Sequence, residues 1–266
     1  MADLNPITLW RRLLALPNES RPKTVAMAFI VSAACAFAVT GATVVLRPIQ
    51  QANRAAEQQL RLEALIAAIP GMSAILAGSD GHASTVIVDL EEADAVPGMT
   101  PAELSTALDD PAYWTQLTPE RDMAGIGGRP NLAQIYLLKD ADEDVSLAIL
   151  PIFGAGYNGP IQAMLAIHGD MQTIAGITIT EQSETPGLGG RIEEPTWQAS
   201  FAGKRWEDAA GVMRFSVARG PSASEYEVDG ITGATRTSNA MSRIVRFWLG
   251  PDGYGPLLDA IERGEF

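Results

Sequence analysis

The sequence predicts an α+β protein in which a single N-terminal transmembrane helix precedes a globular domain built on an antiparallel sheet with flanking helices. Three observations predict it. No charged residue interrupts the run from Thr24 to Leu46. Four strand-like segments, Ala133 to Leu138, Val145 to Ile152, Ile161 to Ile167 and Ile174 to Thr180, are separated only by the turn-like KDADED, GAGYNG and HGDMQ, as in a meander. Near the C-terminus Met241, Ile244, Val245 and Trp248 recur at helical spacing, with Arg243 and Arg246 between them.

Taken in order, residues 1–23 form a short basic N-terminus and residues 24–46 the span. A helix of that length reaches across a hydrocarbon core of about 30 Å. A signal peptide is the rival reading, but its apolar region typically runs about 7–15 residues, and this one is longer. Arg11, Arg12, Arg21 and Lys23 precede the span and only Arg47 directly follows it. The positive-inside rule therefore places the N-terminus in the cytoplasm and the main domain outside, in the periplasm of a cell that has one. Residues 47–70 read as a juxtamembrane helix that Gly71 closes, either continuing the span or docking on the domain. A membrane-proximal α/β region follows over 71–132, with a strand near Ser84 to Leu90 and a helix starting at Thr100-Pro101. Residues 133–266 hold the meander, the run Val212 to Val217 and a final helix expected to start near Ser238, a residue suited to N-capping.

With 266 residues, 47% hydrophobic and 19% charged, the chain can bury a substantial core. The formal net charge is −13, and all of the acidic excess lies beyond the basic N-terminus. An acidic domain argues against nucleic acid and anionic lipid surfaces as partners. Cys35, the only cysteine, sits in the span, which excludes an intrachain disulfide and a cysteine-ligated cluster. His82 and His168 are the only histidines and have no spaced partner, so metal catalysis is not supported. The acidic clusters Asp109, Asp110 and Asp140, Asp142, Glu143, Asp144 read as solvated turns and are assigned no ion. No P-loop or dinucleotide fingerprint occurs.

Two glycine-rich segments carry the chemistry. Asp229-Gly230-Ile231-Thr232-Gly233-Ala234-Thr235 lies just before the final helix. A helix N-terminus presents unsatisfied N–H groups and the positive end of the backbone dipole, so a phosphate esterified to Thr235 would sit in a favourable field. The same hydroxyls would also serve merely to cap a helix after a glycine turn, and the residues alone do not separate the two. Upstream, Glu184-Thr185-Pro186-Gly187-Leu188-Gly189-Gly190 follows the fourth strand. Its glycines let a flat ligand approach the backbone, with Leu188 against a ring face and Glu184 or Thr185 at a polar edge. A tight Pro-Gly turn is the alternative.

The first segment resembles the flavinylation motif D-x-x-[ST]-G-A-[TS] of exported flavoproteins, and the second is similar to the other hallmark of the same FMN-binding domain family. They stand in the family's order about fifty residues apart. The resemblance implies FMN bound covalently through a phosphoester to Thr235, with Asp229, Thr232, Gly233 and Ala234 forming the rest of the motif. It places Glu184, Thr185, Gly187, Leu188 and Gly189 at the flavin. It further implies an FMN transferase that uses FAD and magnesium, so the chain needs no catalytic base of its own.

Over nearly its whole length the chain is similar to the C subunits of sodium-translocating NADH:quinone oxidoreductases, a likeness strengthened by Glu193 to Trp197 and by the tail RFWLGPDGYGPLLDAIERGEF. The G subunits of Rnf-type ferredoxin:NAD oxidoreductases share the anchor and both motifs. Gly156-Tyr157, where the C subunits more often carry a Leu-Trp pair, leans toward them. What the resemblance implies is a membrane-embedded electron relay in the bacterial inner membrane. Its partners would be flavin-, iron–sulfur- and quinone-handling subunits, and the chain would have no free-standing activity. A membrane-anchored scaffold without flavin is the alternative from another class.

Overall fold

The computed structural model describes residues 20–68, 84–140, 142 and 144–266, together with Arg11, Ala15 and Pro17. Most of the expected N-terminal segment, the stretch around Gly71 and Glu143 of the acidic cluster lie outside the described residues.

Helix α1 (Arg21–Ala68) has 48 residues, roughly 70 Å at the helical rise. Its segment Arg21–Gly41 has a mean hydropathy of 2.0 and buries nothing within the chain. Val25, Phe29 and Phe37 stand exposed, and the segment is long and apolar enough to cross a bilayer core. The span and the juxtamembrane segment are one element, because the helix runs through 47–68 without a break and contains Pro48.

The globular part is organised by one antiparallel sheet of seven strands. These are β1 (Ser84–Asp89), β2 (Asp94–Ala95), β5 (Leu132–Lys139), β6 (Val145–Ala155), β7 (Pro160–His168), β8 (Thr173–Glu181) and β9 (Lys204–Arg205). Their order across the sheet is β2-β1-β5-β6-β7-β8-β9. β3 (Trp114–Gln116) and β4 (Gly128–Pro130) form a separate antiparallel pair, and β10 (Ser216–Val217) and β11 (Glu227–Val228) a parallel one. The boundary drawn between residues 132 and 133 falls inside the main sheet, since β1 pairs with β5 along its whole length, from Ser84 opposite Leu137 to Asp89 opposite Leu132. Of the run Val212 to Val217 only the last two residues form a strand; Met213 makes an isolated antiparallel bridge with Glu207, and the N–H groups of Arg214 and Phe215 both go to the Trp206 carbonyl.

Short turns close the meander through their own polar groups. The Asp140 carboxylate accepts the N–H groups of Asp142 and Asp144, and Asp170 accepts those of Gln172 and Thr173. Successive residues Leu147, Ala148, Ile149 and Leu150 of β6 are all buried. Because neighbours on a strand point to opposite faces, both faces of the sheet are covered. On one, α2 (Pro101–Ala107) brings Leu104 against Ile87 and Leu132; its capping box between Thr100 and Glu103 fixes where it starts. On the other, α4 (Thr235–Trp248) and α5 (Gly255–Glu262) join the main core with the short α3 (Pro195–Gln198).

Helix α4 buries Met241, Ile244, Val245 and Trp248, the stripe its sequence spacing predicts. Its C-terminal end is bolted to β6. Trp248 Nε1 donates to the Phe153 carbonyl at 2.6 Å, and the Tyr254 hydroxyl to the Pro151 carbonyl at 2.9 Å. The Trp248 ring also lies 4.9 Å from that of Phe153 and 5.2 Å from that of Tyr254. Burial pushes the Tyr254 phenol far above its ordinary pKa, so it stays a hydrogen-bond donor. The tail motif FWLGPDGYG is therefore the lock that fixes helix α4 on the sheet.

Candidate functional site

The site forms where three segments meet the free end of α4: the β6–β7 turn, the loop after β8, and the glycine turn leading into the helix. Glu184 joins them. Although only 4% exposed, its carboxylate is fully used. One oxygen accepts the N–H groups of Tyr157 at 2.5 Å and Asn158 at 3.1 Å, and the other accepts the Thr237 hydroxyl at 2.7 Å. A second strut runs from the Asn158 amide to the Thr185 hydroxyl at 2.9 Å. Burying a carboxylate is tolerable only with such donors around it.

The glycine-rich loop fits closely around this hub. A Cβ on Gly189 would stand 2.4 Å from Thr237 Oγ1 and 2.6 Å from Glu184 Oε2, so no larger residue fits there. Gly233 adopts φ +81° and lies under Leu188, whose side chain would be 3.2 Å from a Cβ added there. Leu188 itself is 47% exposed and Tyr157 54% exposed. Large apolar side chains standing half in solvent beside a cleft are what a flat ligand covers.

Helix α4 begins at Thr235, three residues before the start expected at Ser238. Its N-cap is Ala234, which supplies no side-chain hydrogen bond. Ser238 lies inside the first turn, where its hydroxyl instead accepts the Ile231 N–H at 3.3 Å. A hydroxyl-bearing cap is worth about 1 kcal/mol, and the chain forgoes it here. No side chain of the cap answers the first-turn amides, and Thr235, the first residue of the helix, is exposed and lines the cleft.

The sequence-derived residues divide between two adjoining clefts. Glu184, Thr185, Leu188, Gly189, Gly233, Ala234 and Thr235 line one of about 290 Å³, together with Tyr157, Arg236 and Thr237. Asp229 and Thr232 line the other, of about 250 Å³, with Arg191, Glu194 and Trp197. Gly187, at φ +74°, shapes the loop and lines neither. Asp229 acts on the backbone of the motif. Its carbonyl accepts Trp197 Nε1 at 2.8 Å, and its carboxylate accepts the Ser222 N–H at 2.6 Å. That N–H, then the Ser222 hydroxyl and the Lys204 charge, hold the carboxyl below the usual carboxylate range.

Tyr157, Arg236 and Thr237 are cleft residues that the sequence motifs do not include. The Arg236 guanidinium lies 4.8 Å from the centre of the Tyr157 ring. For Arg236 the available signal is a basic residue directly after Thr235; for Tyr157 there is only its place in a tight turn.

The comparisons agree with this geometry. Residues 156–250 match the model of the FMN-binding domain family, a range that encloses both glycine-rich segments and the turn holding Tyr157. Over 93% of its length the chain is 35% identical to the C subunit of the Na(+)-translocating NADH-quinone reductase of Pasteurella multocida, covering 96% of that protein. It is also 35% identical to the C subunit of the same name from Vibrio anguillarum, over 94% of this chain and 99% of that one. The chain belongs to this C-subunit family. A crystal structure of NqrC from Shewanella oneidensis superposes with a TM-score of 0.63 at 24% identity, over 72% of this chain and 88% of that one, and so shares the fold. The expectation that Gly156-Tyr157 leans toward the Rnf G subunits is set aside by this whole-chain likeness to C subunits.

The cleft passes a direct test for a flavin. Open apolar walls at Leu188 and Tyr157, helical amides that no cap side chain answers and the exposed Thr235 together supply what a flat ring and a phosphate need.

Proposed function

We propose that the chain is the electron-transfer subunit of a sodium-translocating NADH:quinone reductase, relaying electrons through FMN esterified to Thr235. The observation that carries the reading is the exposed Thr235 hydroxyl at the first residue of a 14-residue helix whose cap has no side-chain acceptor. A phosphate on that oxygen would take the place of the missing cap, receiving the first-turn amides and the positive end of the helix dipole. Bound there, FMN supplies reversible electron uptake and release, chemistry that no side chain of this protein offers.

The chain's own residues hold and orient. Leu188 and Tyr157 form the apolar walls, and Thr185 offers a hydroxyl at the rim. Glu184 keeps the three segments in register, a role in which both its oxygens are already occupied. Asp229 and Thr232 lie on the neighbouring cleft and shape the motif from behind. An FMN transferase using FAD and magnesium would form the ester, and it would find Thr235 accessible. The covalent tether keeps one flavin at the site whatever its dissociation constant, which suits a domain outside the cytoplasm and away from the flavin pool. In this reading α1 anchors the chain in the inner membrane with the N-terminus cytoplasmic and the domain periplasmic. Neighbouring flavin-, iron–sulfur- and quinone-handling subunits donate and accept the electrons, and sodium export belongs to the assembled complex.

The test is to purify the complex carrying Thr235→Ala. A full complement of subunits with loss of NADH-driven quinone reduction is expected. Undiminished activity in a complex that contains the variant chain would assign it a scaffolding role instead.

A further inference from the structure

Two charged residues line the flavin cleft, Glu184 and Arg236, and they are in opposite situations. Glu184 is buried and its carboxylate is answered by two amides and a hydroxyl. Arg236 follows the acceptor residue directly and is exposed, and among the described residues no carboxylate pairs with it. Its guanidinium turns back across the cleft from α4 and rests 4.8 Å from the centre of the Tyr157 ring. The backbone of Tyr157 is in turn fixed by its N–H bond to Glu184. The positive charge is thus held over the cleft wall, beside the helix N-terminus that carries charge of the same sign.

We propose that Arg236, positioned by Tyr157, raises the reduction potential of the flavin carried by Thr235. This rests on the functional reading above. Reduction adds two electrons and one proton to the oxidised ring and leaves it with one negative charge on the ring system. The electrons come from a one-electron donor of the iron–sulfur class, and the proton from water. A fixed cation beside the ring favours that product over the neutral oxidised form, and charge placed near the ring nitrogens is a principal means by which a protein tunes a flavin.

The experiment is a spectroelectrochemical titration of the full-length chain in detergent after coexpression with an FMN transferase, each sample first checked by mass for FMN on Thr235. Arg236→Gln is expected to shift the ratio of reduced to oxidised flavin at a given potential about tenfold toward oxidised, about 30 mV for a two-electron couple. Arg236→Lys should recover part of the shift, since it keeps the charge but lacks the planar group that stacks on a ring. Tyr157→Phe should change little, whereas Tyr157→Leu should lower the potential by releasing the guanidinium. In 1 M salt, where the screening length is about 3 Å, the gap between wild type and Arg236→Gln should shrink. Equal potentials for wild type, Arg236→Gln and Tyr157→Leu, all carrying FMN on Thr235, would overturn the proposal. Should Arg236→Gln fail to load, the salt dependence of the wild-type potential decides it: a fall in 1 M salt is expected, and an unchanged potential overturns the proposal. Absence of FMN from Thr235 in the wild type would instead overturn the functional reading.

Discussion

The two ends of helix α4 are built on opposite principles. At its C-terminal end Phe247, Trp248 and Leu249 are at most 1% exposed, the rings of Phe153, Trp248 and Tyr254 pack together, and two side-chain donors clamp the end to β6. At its N-terminal end the cap is an alanine, Thr235 is exposed, and the neighbouring loop is glycine-rich. One helix thus combines a rigid anchor with an open, unsatisfied end. The anchored end holds the helix still, and the open end keeps donors free for a ligand that the chain does not itself provide.

The contrast can be broken most severely at the anchor. Trp248→Ala should cost about 3–5 kcal/mol, the range for emptying a buried aromatic site, with a further loss from the stranded Phe153 carbonyl; thermal unfolding would measure it. Glu184→Ala comes next. It leaves the amides of Tyr157 and Asn158 and the Thr237 hydroxyl without their shared acceptor, and about 3 kcal/mol is expected because each stranded donor costs about 1–3 kcal/mol. Chemical denaturation should show that loss, and the apparent efficiency of flavin attachment should fall with it. Gly189→Ala forces a methyl into the space of Thr237 and Glu184 and should cost about 1–3 kcal/mol; a variant as stable as the wild type would mean that the loop is not held against the helix.

Thr235→Ala should sharpen the comparison, since an exposed position outside the hydrogen-bond network ought to change stability by no more than about 0.5 kcal/mol. The smallest effect concerns pH. The Asp229 carboxyl is held below its ordinary value of 3.8 by Ser222 and Lys204, so its contribution is present above that value and is lost as pH falls through the lowered one. Acid should therefore loosen the Ser222 N–H, with hydrogen exchange as the readout, before it disturbs the core around Trp248.

Much of the anchor was legible in the sequence, because period and burial speak the same language there. The stripe Met241, Ile244, Val245 and Trp248 gave the helix its face, and four apolar runs gave the meander its strands. The open end was harder. Ser238 looked like the cap on propensity, yet the helix starts at Thr235, because Ser238 turns its hydroxyl to Ile231 and Thr237 sends its own to Glu184. Both bonds depend on tertiary neighbours that no local pattern encodes. Glu184 reads from the sequence as a ligand-edge residue, whereas its oxygens serve the chain. Tyr157 is held at the cleft by a hydrogen bond from its backbone N–H to a carboxylate 27 residues away. The motif read as one unit splits in space, with Asp229 and Thr232 on one cleft and Thr235 on the other.

The most direct test of the open helix end is to coexpress the full chain with an FMN transferase and map its peptides by mass, wild type against Thr235→Ala. The account predicts one FMN on the peptide containing Thr235, visible as a fluorescent band on a denaturing gel and absent from the variant. A wild-type chain without flavin, or a flavin that persists when Thr235 is replaced, would contradict it.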